Sequence, residues 1–460
     1  AEFLKCGARK QTRQDTEQIQ TIEEPAPSQQ SESKSECQVK FCNSCFNQQF
    51  FVRTIMMWPS LCVVLCVVAA SPVAIPFRNT TGGDLGVPIL LTSSDDQTSP
   101  TIVTSYTSYD EQGVQYLWLQ NLDTTSNIMA EQLVAKSGDV IPNTGGQQHF
   151  TGFTDLSGSN KRLLFMGEGN GTWGKQNKFM GIYMFYDDRK LLKKVIDTDG
   201  HLPTTGERFK ELCCGQNVPD GSDVVFAGAS AYDGEGVEGI YIWRSKSMVV
   251  EVLIDNTIQV LRHISGSTRI SLSGDVFFFG DNPLLPLADG IYHFNIMKPK
   301  ETLSLVVARG QAVPQRKGDP VARRFTAFGS PILAYKSNAV LFTATGTNGL
   351  LGIYSINFTD SKDGSITTIM DNIESDVSAF PTDPSADLYG ASVFNVITED
   401  AATSGLYYWS GVAGVRPVII QSLKERNVSN FDTQYNSMDE ATVVFYTNDG
   451  KRDICWSLKL

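Results

Sequence analysis

One hairpin recurs along this chain and limits what the chain can fold into. Its clearest copy joins an apolar run at 222–228, Ser-Asp-Val-Val-Phe-Ala-Gly, to a strand-like run at 239–243, Gly-Ile-Tyr-Ile-Trp. Copies return about every 50–60 residues, a period typical of four-stranded propeller blades. The other copies pair 163–167 with 181–185, 276–280 with 290–294, 339–343 with 352–354, and 392–394 with 405–409; degenerate ones pair 102–106 with 113–118 and 443–446 with 453–456.

Each repeat continues past its hairpin into further short apolar runs. In the unit after 181–185 these are 191–196, then a turn at 197–200, then a Pro- and Gly-containing loop. Short runs separated by Gly, Pro, Asp and Asn indicate a meander of strands. No stretch keeps a helical period for more than a turn or two. The sequence therefore predicts an all-β propeller of four-stranded blades.

The number of blades depends on how the two ends meet. Six complete units run from about 101 to 440, and a seventh begins at 441 and supplies two strands. Strands from the start of the mature chain, with 87–92 as the candidate, would complete it and remove an open sheet edge. This predicts seven blades closed by strands from both termini. Six blades are the alternative, if the first hairpin pairs laterally with the last.

The first 70 residues are expected to stand apart from the propeller. Residues 1–55 are rich in Gln, Glu and Ser without apolar periodicity, which predicts disorder; they are either a genuine extension or translated upstream sequence. Residues 56–70 hold an apolar run ending in small residues, typical of a signal peptide, and this run is too short to span a membrane. Residues 71–460 are then the mature protein, a single propeller domain.

Charge and cysteine content narrow the range of partners. The formal net charge is −12, which disfavours nucleic acid and anionic membranes as partners. The mature part holds three cysteines, Cys213, Cys214 and Cys455, too few for a disulfide framework. Cys455 lies two to three units away from the other two along the ring, so a bond to either is not expected. Stability must come from a large hydrophobic core.

Four Asn-x-Ser/Thr sequons lie in the mature part, each in a polar, turn-like context. Together with the signal peptide they predict a secreted, extracellular glycoprotein. The predicted glycosylation sites are Asn79, Asn170, Asn357 and Asn427.

Carboxylates gather in the loop that precedes each Gly-Ile-Tyr strand. Equivalent loops of a propeller emerge on one face, so these side chains would form an acidic rim that could hold Ca²⁺ or a mineral surface; solubilising turn residues are the other interpretation. The segment 197–200, Asp-Thr-Asp-Gly, resembles the opening of a calcium loop but lacks the later acidic ligand. Asp197, Asp199, Asp233 and Glu235 are thus weak metal candidates. The rim residues are Asp110, Glu111, Asp233, Glu235, Glu238, Asp289, Glu399, Asp400 and Asp449.

No catalytic or cofactor-binding residue is predicted. The four histidines, at 149, 201, 263 and 293, have no metal-ligand spacing, and neither a Gly-x-Ser-x-Gly elbow nor a phosphate-cradling glycine loop is present. His293 replaces the Met, Ile, Ser or Tyr of other repeats, which favours a packing histidine. A histidine-based triad stays open, because its members need not be close in sequence.

The repeated pattern resembles tandem repeats of secreted bacterial proteins. There an Asn-x-x-Gly-x-Val-Ala-Phe stretch precedes Gly-Ile-Phe; here a polar turn and a run such as Val-Val-Phe precede Gly-Ile-Tyr. The likeness covers most of 113–460 at a few positions per unit, and copies such as 438–441 lack the Asn and Gly. The resemblance implies a propeller and an extracellular setting, with no defined activity.

Three classes of function fit these observations. The first is a secreted, non-enzymatic scaffold that binds an extracellular matrix component, a glycan or a mineral surface; an acidic skeletal or shell matrix is one concrete setting for it. The second is a secreted glycan-active hydrolase or lyase with carboxylates at the channel mouth. The third is a lectin. The acidic composition favours the scaffold, and a pair of carboxylates converging at the channel would favour the enzyme.

Overall fold

The computed structural model describes strands and turns between residues 74 and 459. Residues 1–73, with the expected extension and signal peptide, lie outside the described part, as does residue 460. The gaps within it are 81–84, 86–88, 92–101, 123–127, 160–161, 171–177, 219–222, 232–235, 258–260, 266–269, 272, 282–288, 298–302, 316–320, 334–338, 358–364, 374, 382, 387–389, 401–402, 412–413, 421–436, 440–441 and 449–452.

The described strands form seven antiparallel sheets, six of them built from contiguous stretches of chain. The remaining sheet combines β1 (Ala74–Thr80) with β28 (Ser437–Asp439), β29 (Thr442–Asn448) and β30 (Asp453–Lys459). The contiguous sheets are β2–β5 (Ile89–Leu91, Ile102–Tyr109, Gln115–Leu122, Ile128–Lys136), β6–β9 (Phe150–Ser159, Arg162–Asn170, Lys178–Tyr186, Leu191–Asp197), β10–β13 (Glu211–Asn217, Val224–Ala229, Glu238–Arg244, Val249–Asp255), β14–β17 (His263–Ser265, Asp275–Asp281, Gly290–Asn295, Ser304–Ala308), β18–β22 (Phe325–Phe328, Ile332–Leu333, Ala339–Gly346, Leu350–Asn357, Ile366–Asp371) and β23–β27 (Val377–Ala379, Ser385–Ala386, Ser392–Thr398, Gly405–Ser410, Gly414–Ile420).

Four strands make the continuous path of every sheet, as the repeat predicted. In two sheets the first strand is interrupted, so that β18 and β19 both pair with β20, and β23 and β24 both pair with β25. Each sheet contacts the next along the chain, mostly through its first strand, and β2 contacts β28 and β29 of the sheet that joins the two ends. The prediction of an all-β propeller of four-stranded sheets is therefore confirmed. Among the described residues no helix is long and apolar enough to cross a membrane.

The sheet that joins the two ends differs from the sequence prediction in one respect. We expected 87–92 to complete the last unit, but the strand at Ile89–Leu91 pairs with β3 and begins the first contiguous sheet. The chain instead uses β1, whose Ala74 pairs with Leu458 and whose Thr80 pairs with Asp453. The C-terminal end accordingly supplies three strands to this sheet, and the N-terminal side supplies its outer strand.

Aromatic side chains from the first three strands of a sheet fill the space between neighbouring sheets. In the sheet β10–β13, the ring of Tyr241 lies 5.2 Å from that of Phe209 in an edge arrangement and 5.7 Å from that of Phe226. All three side chains are fully buried. Burial of such a side chain contributes about 1.5–3 kcal/mol, and edge contacts add to this. The Tyr of Gly-Ile-Tyr is therefore a core residue of this sheet. The same trio recurs as Phe150, Phe165 and Tyr183, and as Phe325, Phe342 and Tyr354.

The glycine of Gly-Ile-Tyr serves the close packing of neighbouring strands. Neither Gly239 nor Gly290 has a positive φ. A Cβ added at Gly290 would lie 1.9 Å from the carbonyl oxygen of Val307, and one at Gly239 would lie 2.6 Å from that of Ile254. The fourth strand of each sheet thus runs too near the third for any side chain at this position.

Antiparallel pairing fixes which ends of the strands share a face. The loops from the second to the third strand of a sheet emerge at the same end as the connections that lead to the next sheet. We call this end the connection face, and the other end the opposite face. The first residue of each inner strand and the glycine of each Gly-Ile-Tyr therefore lie towards the connection face.

Candidate functional site

The segment predicted to resemble a calcium loop closes a turn on the connection face. Asp197, the last residue of β9, is buried; its carboxylate accepts a hydrogen bond from the amide of Asp199 at 3.0 Å and forms an ion pair with Lys194 at 2.5 Å. Asp199 is exposed and its carboxylate lies 3.4 Å from Arg208. The two carboxylates therefore serve separate local contacts. Asp233 and Glu235 lie outside the described residues.

The turn at Asp197 is repeated in other sheets. Asp255 ends β13 and accepts hydrogen bonds from the amide and hydroxyl of Thr257; Asp371 ends β22 and accepts one from the amide of Ile373 at 3.0 Å. Both side chains are buried. A short carboxylate that accepts a hydrogen bond from an amide two residues on holds a turn in place of a backbone bond. The connections after β9, β13 and β22 are thus closed by the same aspartate.

The predicted acidic rim divides into side chains with local partners and side chains that are exposed, the latter being Glu111, Glu399 and Asp400. Asp110 accepts hydrogen bonds from the amide of Val114 and the hydroxyl of Tyr116, and Asp289 forms an ion pair with Arg309 at 3.1 Å. Among the part of the chain that the structure describes, no group of three or more His, Cys, Asp or Glu side chains could hold a metal ion. Asp449 lies outside that part, whereas Glu111, Glu399 and Asp400 lie in turns.

One rim residue belongs to a compact group of titratable side chains at the junction of two sheets. Glu238 begins β12; His263 begins the neighbouring inner strand β14 and pairs with Asp281 at the end of β15. Oε2 of Glu238 lies 3.5 Å from Nδ1 of His263 and accepts a hydrogen bond from the amide of Ile264 at 3.2 Å. Glu238 therefore joins the two sheets where they meet at the channel.

Burial alters the acidity of both carboxyls in this group. It raises the pKa of Glu238, and the Ile264 amide and His263 only partly offset the effect. Burial also raises the pKa of Asp281. The charge of Asp289 raises it further, and His263 lowers it in part. The side chain of Glu238 is 10% exposed and that of His263 is 23% exposed, so solvent reaches the imidazole more readily than the acid behind it. Two carboxyls with raised pKa values thus lie beside one imidazole on the connection face, an arrangement found at functional sites.

A second pair of carboxyls lies on the neighbouring strands β6 and β7. Asp155 adopts a left-handed conformation with φ of 47°, where the pairing of β6 with β7 shifts register. Burial raises the pKa of Asp155, and the charge of Glu168 raises it further. Glu168 and Asp281 occupy equivalent positions near the end of the second strand of their sheets. Gly152 pairs with Glu168 in the same way as His263 pairs with Asp281.

The buried histidine, His293, lies near the opposite face. Its Nε2 is 2.8 Å from Oδ1 of Asp275, and its Nδ1 is 3.4 Å from Oγ of Ser304. The three residues stand on the adjacent strands β16, β15 and β17, and the imidazole packs 4.7 Å from the ring of Phe277. Asp275 also accepts hydrogen bonds from Ser271, Ser273 and Asn295. This arrangement fastens three strands together inside the sheet, which confirms the interpretation of His293 as a packing residue.

Two of the four sequons lie at exposed strand ends. Asn170 ends β7 on the connection face and Asn357 ends β21 on the opposite face, and both side chains are exposed. Asn79 lies in β1, with a side chain outside the described set, and Asn427 is outside the described residues.

Sequence reasoning found Glu238 but missed His263 and Asp281. The available signal was the position of His263 within the segment 261–264, Leu-Arg-His-Ile, which aligns with Phe-Thr-Gly-Phe at 150–153 and Phe-Thr-Ala-Phe at 325–328. In each segment the first apolar residue is buried, and an inner strand begins within the segment. A histidine there lies beside the channel.

No protein-family model matches the chain, and no curated protein is similar to it. Among solved structures, an oligogalacturonate lyase in complex with manganese is 12% identical, with a TM-score of 0.49 over 85% of this chain and 96% of that one. An oligogalacturonate lyase from Vibrio parahaemolyticus is 12% identical, with 0.48 over 85% and 98%. The β-propeller domain of the Trilobed protease from Pyrococcus furiosus is 11% identical, with 0.45 over 80% and 95%. The function of this chain has to be argued from its own residues.

Proposed function

We propose that the protein is an exported, glycosylated propeller of seven blades that acts as an extracellular binding scaffold, attached to a matrix component, a glycan or a mineral surface. Seven sheets in contact around a ring support the blade number. The exposed sequons at Asn170 and Asn357, the apolar run at 61–70 and the net charge of −12 support an extracellular setting.

The observation that carries the scaffold proposal is the repeated aspartate-closed turn. Asp197, Asp255 and Asp371 hold three connections on one face in the same conformation. In addition, the hydroxyl of Thr204 donates a hydrogen bond to Asp255, which ties one connection to the next. Turns that are already held by hydrogen bonds lose little entropy on binding. The connection face is therefore the binding face of the scaffold.

Fractionation of cells or tissue that make the protein tests this proposal. The full chain should be retained in an extracellular matrix fraction and released by chelator or high salt, according to whether mineral or charged glycan holds it. Asp255→Asn should reduce retention because it loosens the connection face, whereas Asp188→Asn, at an exposed turn of the opposite face, should not. Recovery of the native protein in the cytosol, or equal retention of the two variants, contradicts the proposal.

A glycan-active hydrolase or lyase is the second candidate, and the Glu238–His263 pair favours it. Burial raises the pKa of Glu238, the direction required of a general acid, and the imidazole of His263 lies 3.5 Å from its carboxyl oxygen. Incubation with acidic and neutral oligosaccharides should then release reducing ends, or unsaturated uronate if the reaction is an elimination. Glu238→Gln and His263→Gln should abolish product formation while Asp188→Asn leaves it unchanged. The absence of product from every substrate, or full activity of Glu238→Gln, rules out this role.

A further inference from the structure

Three cations lie at the start of consecutive inner strands, two of them at equivalent positions and the third, Arg324, two positions earlier in the aligned segment. Lys210 immediately precedes β10 and Arg262 immediately precedes β14. The backbones of these two residues are equivalent. The amide of Lys210 donates to the carbonyl of Ala229 at 2.7 Å, and the amide of Arg262 donates to the carbonyl of Asp281 at 3.0 Å. Ala229 and Asp281 are each the last residue of the second strand of their sheet. Arg324 immediately precedes β18 in the following sheet. All three therefore lie on the connection face, beside the channel.

These cations have no carboxylate partner among the described residues. Arg262 and Arg324 are exposed and Lys210 is half-buried. The only side-chain bond recorded for them in that part of the chain is from Nη1 of Arg324 to the carbonyl oxygen of Gly310, at 2.6 Å. Other arginines are paired, such as Arg244 with Asp223 and Glu251. A protein with a net charge of −12 thus leaves three positive charges unneutralised on one arc of its channel mouth.

The arc has a defined end. In the next sheet the residue that precedes the inner strand β23 is Asp376, which is exposed and carries the opposite charge. In the sheet before the arc, the exposed His149 directly precedes β6, and the position equivalent to Lys210 and Arg262 is held by the uncharged Thr151. A negatively charged chain would follow the arc and be repelled beyond it.

We infer that this cationic arc (Lys210, Arg262 and Arg324) binds a linear acidic polysaccharide, one whose carboxylate or sulfate groups recur along the chain. The inference names the ligand class of the scaffold proposed above and rests on that proposal. Each blade supplies one cation, so the ligand must present its anions one at a time along an arc rather than as one compact group.

The spacing of the charges favours a polysaccharide over other polyanions. Packed sheets lie about 10 Å apart, so neighbouring cations of the arc are separated by roughly this distance. Duplex DNA carries one charge per ~1.7 Å, far more than these three cations could neutralise. A sugar chain with one acidic group on every one or two residues has a much lower charge density. Screening limits electrostatic effects to about 8 Å in physiological salt, so only the carboxyls nearest the arc, such as Asp281 beside Arg262, reduce the local attraction.

Titration calorimetry with the full-length secreted protein tests the inference. The probes are oligogalacturonate for the carboxylated class and a heparin-derived oligosaccharide for the sulfated class, with a neutral malto-oligosaccharide as the control ligand. Lys210→Gln, Arg262→Gln and Arg324→Gln should each weaken binding about twofold to fivefold, the range of an exposed charge pair. Each should also lower the salt dependence of log Kd by about one. Arg262→Lys should retain that salt dependence.

The matched control is Lys246→Gln, which removes one exposed charge from a turn of the opposite face. It should leave affinity and salt dependence unchanged. The inference is overturned if the triple variant binds an acidic probe as tightly as the parent, if the neutral sugar binds equally well, or if polyglutamate or single-stranded DNA binds more tightly. Matrix retention of the triple variant at the parent level would overturn the arc alone and leave the scaffold proposal standing.

Discussion

Nε2 of His293 lies 2.8 Å from Oδ1 of Asp275, inside a sheet whose neighbouring strands these residues occupy. The side chain of His293 is 9% exposed and that of Asp275 is 19% exposed. The pair, together with Ser304, contains the residue types of a hydrolase triad, yet its imidazole is enclosed by strands and packed on Phe277. Its role is to satisfy polar groups within the sheet, and this role leads to a stability prediction.

Asp275→Asn should lower the free energy of unfolding by about 1–3 kcal/mol at neutral pH, because buried donors lose a charged acceptor. Burial raises the pKa of Asp275, but hydrogen bonds from His293, Ser273 and Asn295 outweigh it and hold the pKa well below its ordinary value of 3.8. The contribution of the folded-state carboxylate is thus fully present above that ordinary value and is lost as pH falls through the lowered one. Urea unfolding from neutral to acidic pH should show the difference between parent and variant shrinking below about pH 4. Asp199→Asn, at an exposed ion pair, is the control and should change stability by less than about 0.5 kcal/mol.

Gly290→Ala should destabilise the protein by about 1–3 kcal/mol or more, because the new Cβ would lie 1.9 Å from a backbone oxygen that only movement of β17 could relieve. Gly411→Ala is the matched control, since a Cβ there meets nothing within 4 Å and the residue lacks a positive φ. Thermal unfolding of both variants measures the effect. Equal melting temperatures would show that the close approach of the third and fourth strands does not constrain this position.

Deletion of 451–460 should destabilise the whole ring rather than one end. The deletion removes β30, which pairs with β1 on one side and with β29 on the other, so both neighbours lose their hydrogen-bond partner. We expect a lower melting temperature and a broader transition by near-ultraviolet circular dichroism. A truncated protein that melts at the parent temperature with the same cooperativity would show that this pairing does not close the ring. Deletion of 1–55 serves as the control and should leave the transition unchanged.

Export predicts a mature N-terminus between Ser71 and Ile75 and glycans on exposed sequons. Mass spectrometry of protein secreted by a eukaryotic host should find both, with Asn170 and Asn357 occupied because their side chains are exposed at strand ends. Asn170→Gln and Asn357→Gln should each remove one glycan without loss of secretion. A secreted product that retains 56–70 would contradict the signal-peptide prediction.

The sequence by itself determined the class of fold and the size of its repeat. Apolar runs of strand length, punctuated by Gly, Pro and Asp, specify short antiparallel strands locally, and their regular return specifies packed sheets. Burial of Tyr183, Tyr241 and Tyr354 also followed, since large aromatic residues at one repeated position must fill equivalent spaces.

Only the tertiary structure decided which strand joins the two ends and which carboxylates come together. The segments at Ala74–Thr80 and Ile89–Leu91 both form short strands. The first pairs with β30, which is far away in sequence, and the second pairs with β3, which is close in sequence. Glu238, His263 and Asp281 come from different strands of two sheets, and Lys210, Arg262 and Arg324 from three. Local sequence carries no record of such contacts, because long-range pairing and burial select them after the strands have formed. The same long-range packing fixes Gly290, whose constraint is the carbonyl of Val307 on the adjacent strand.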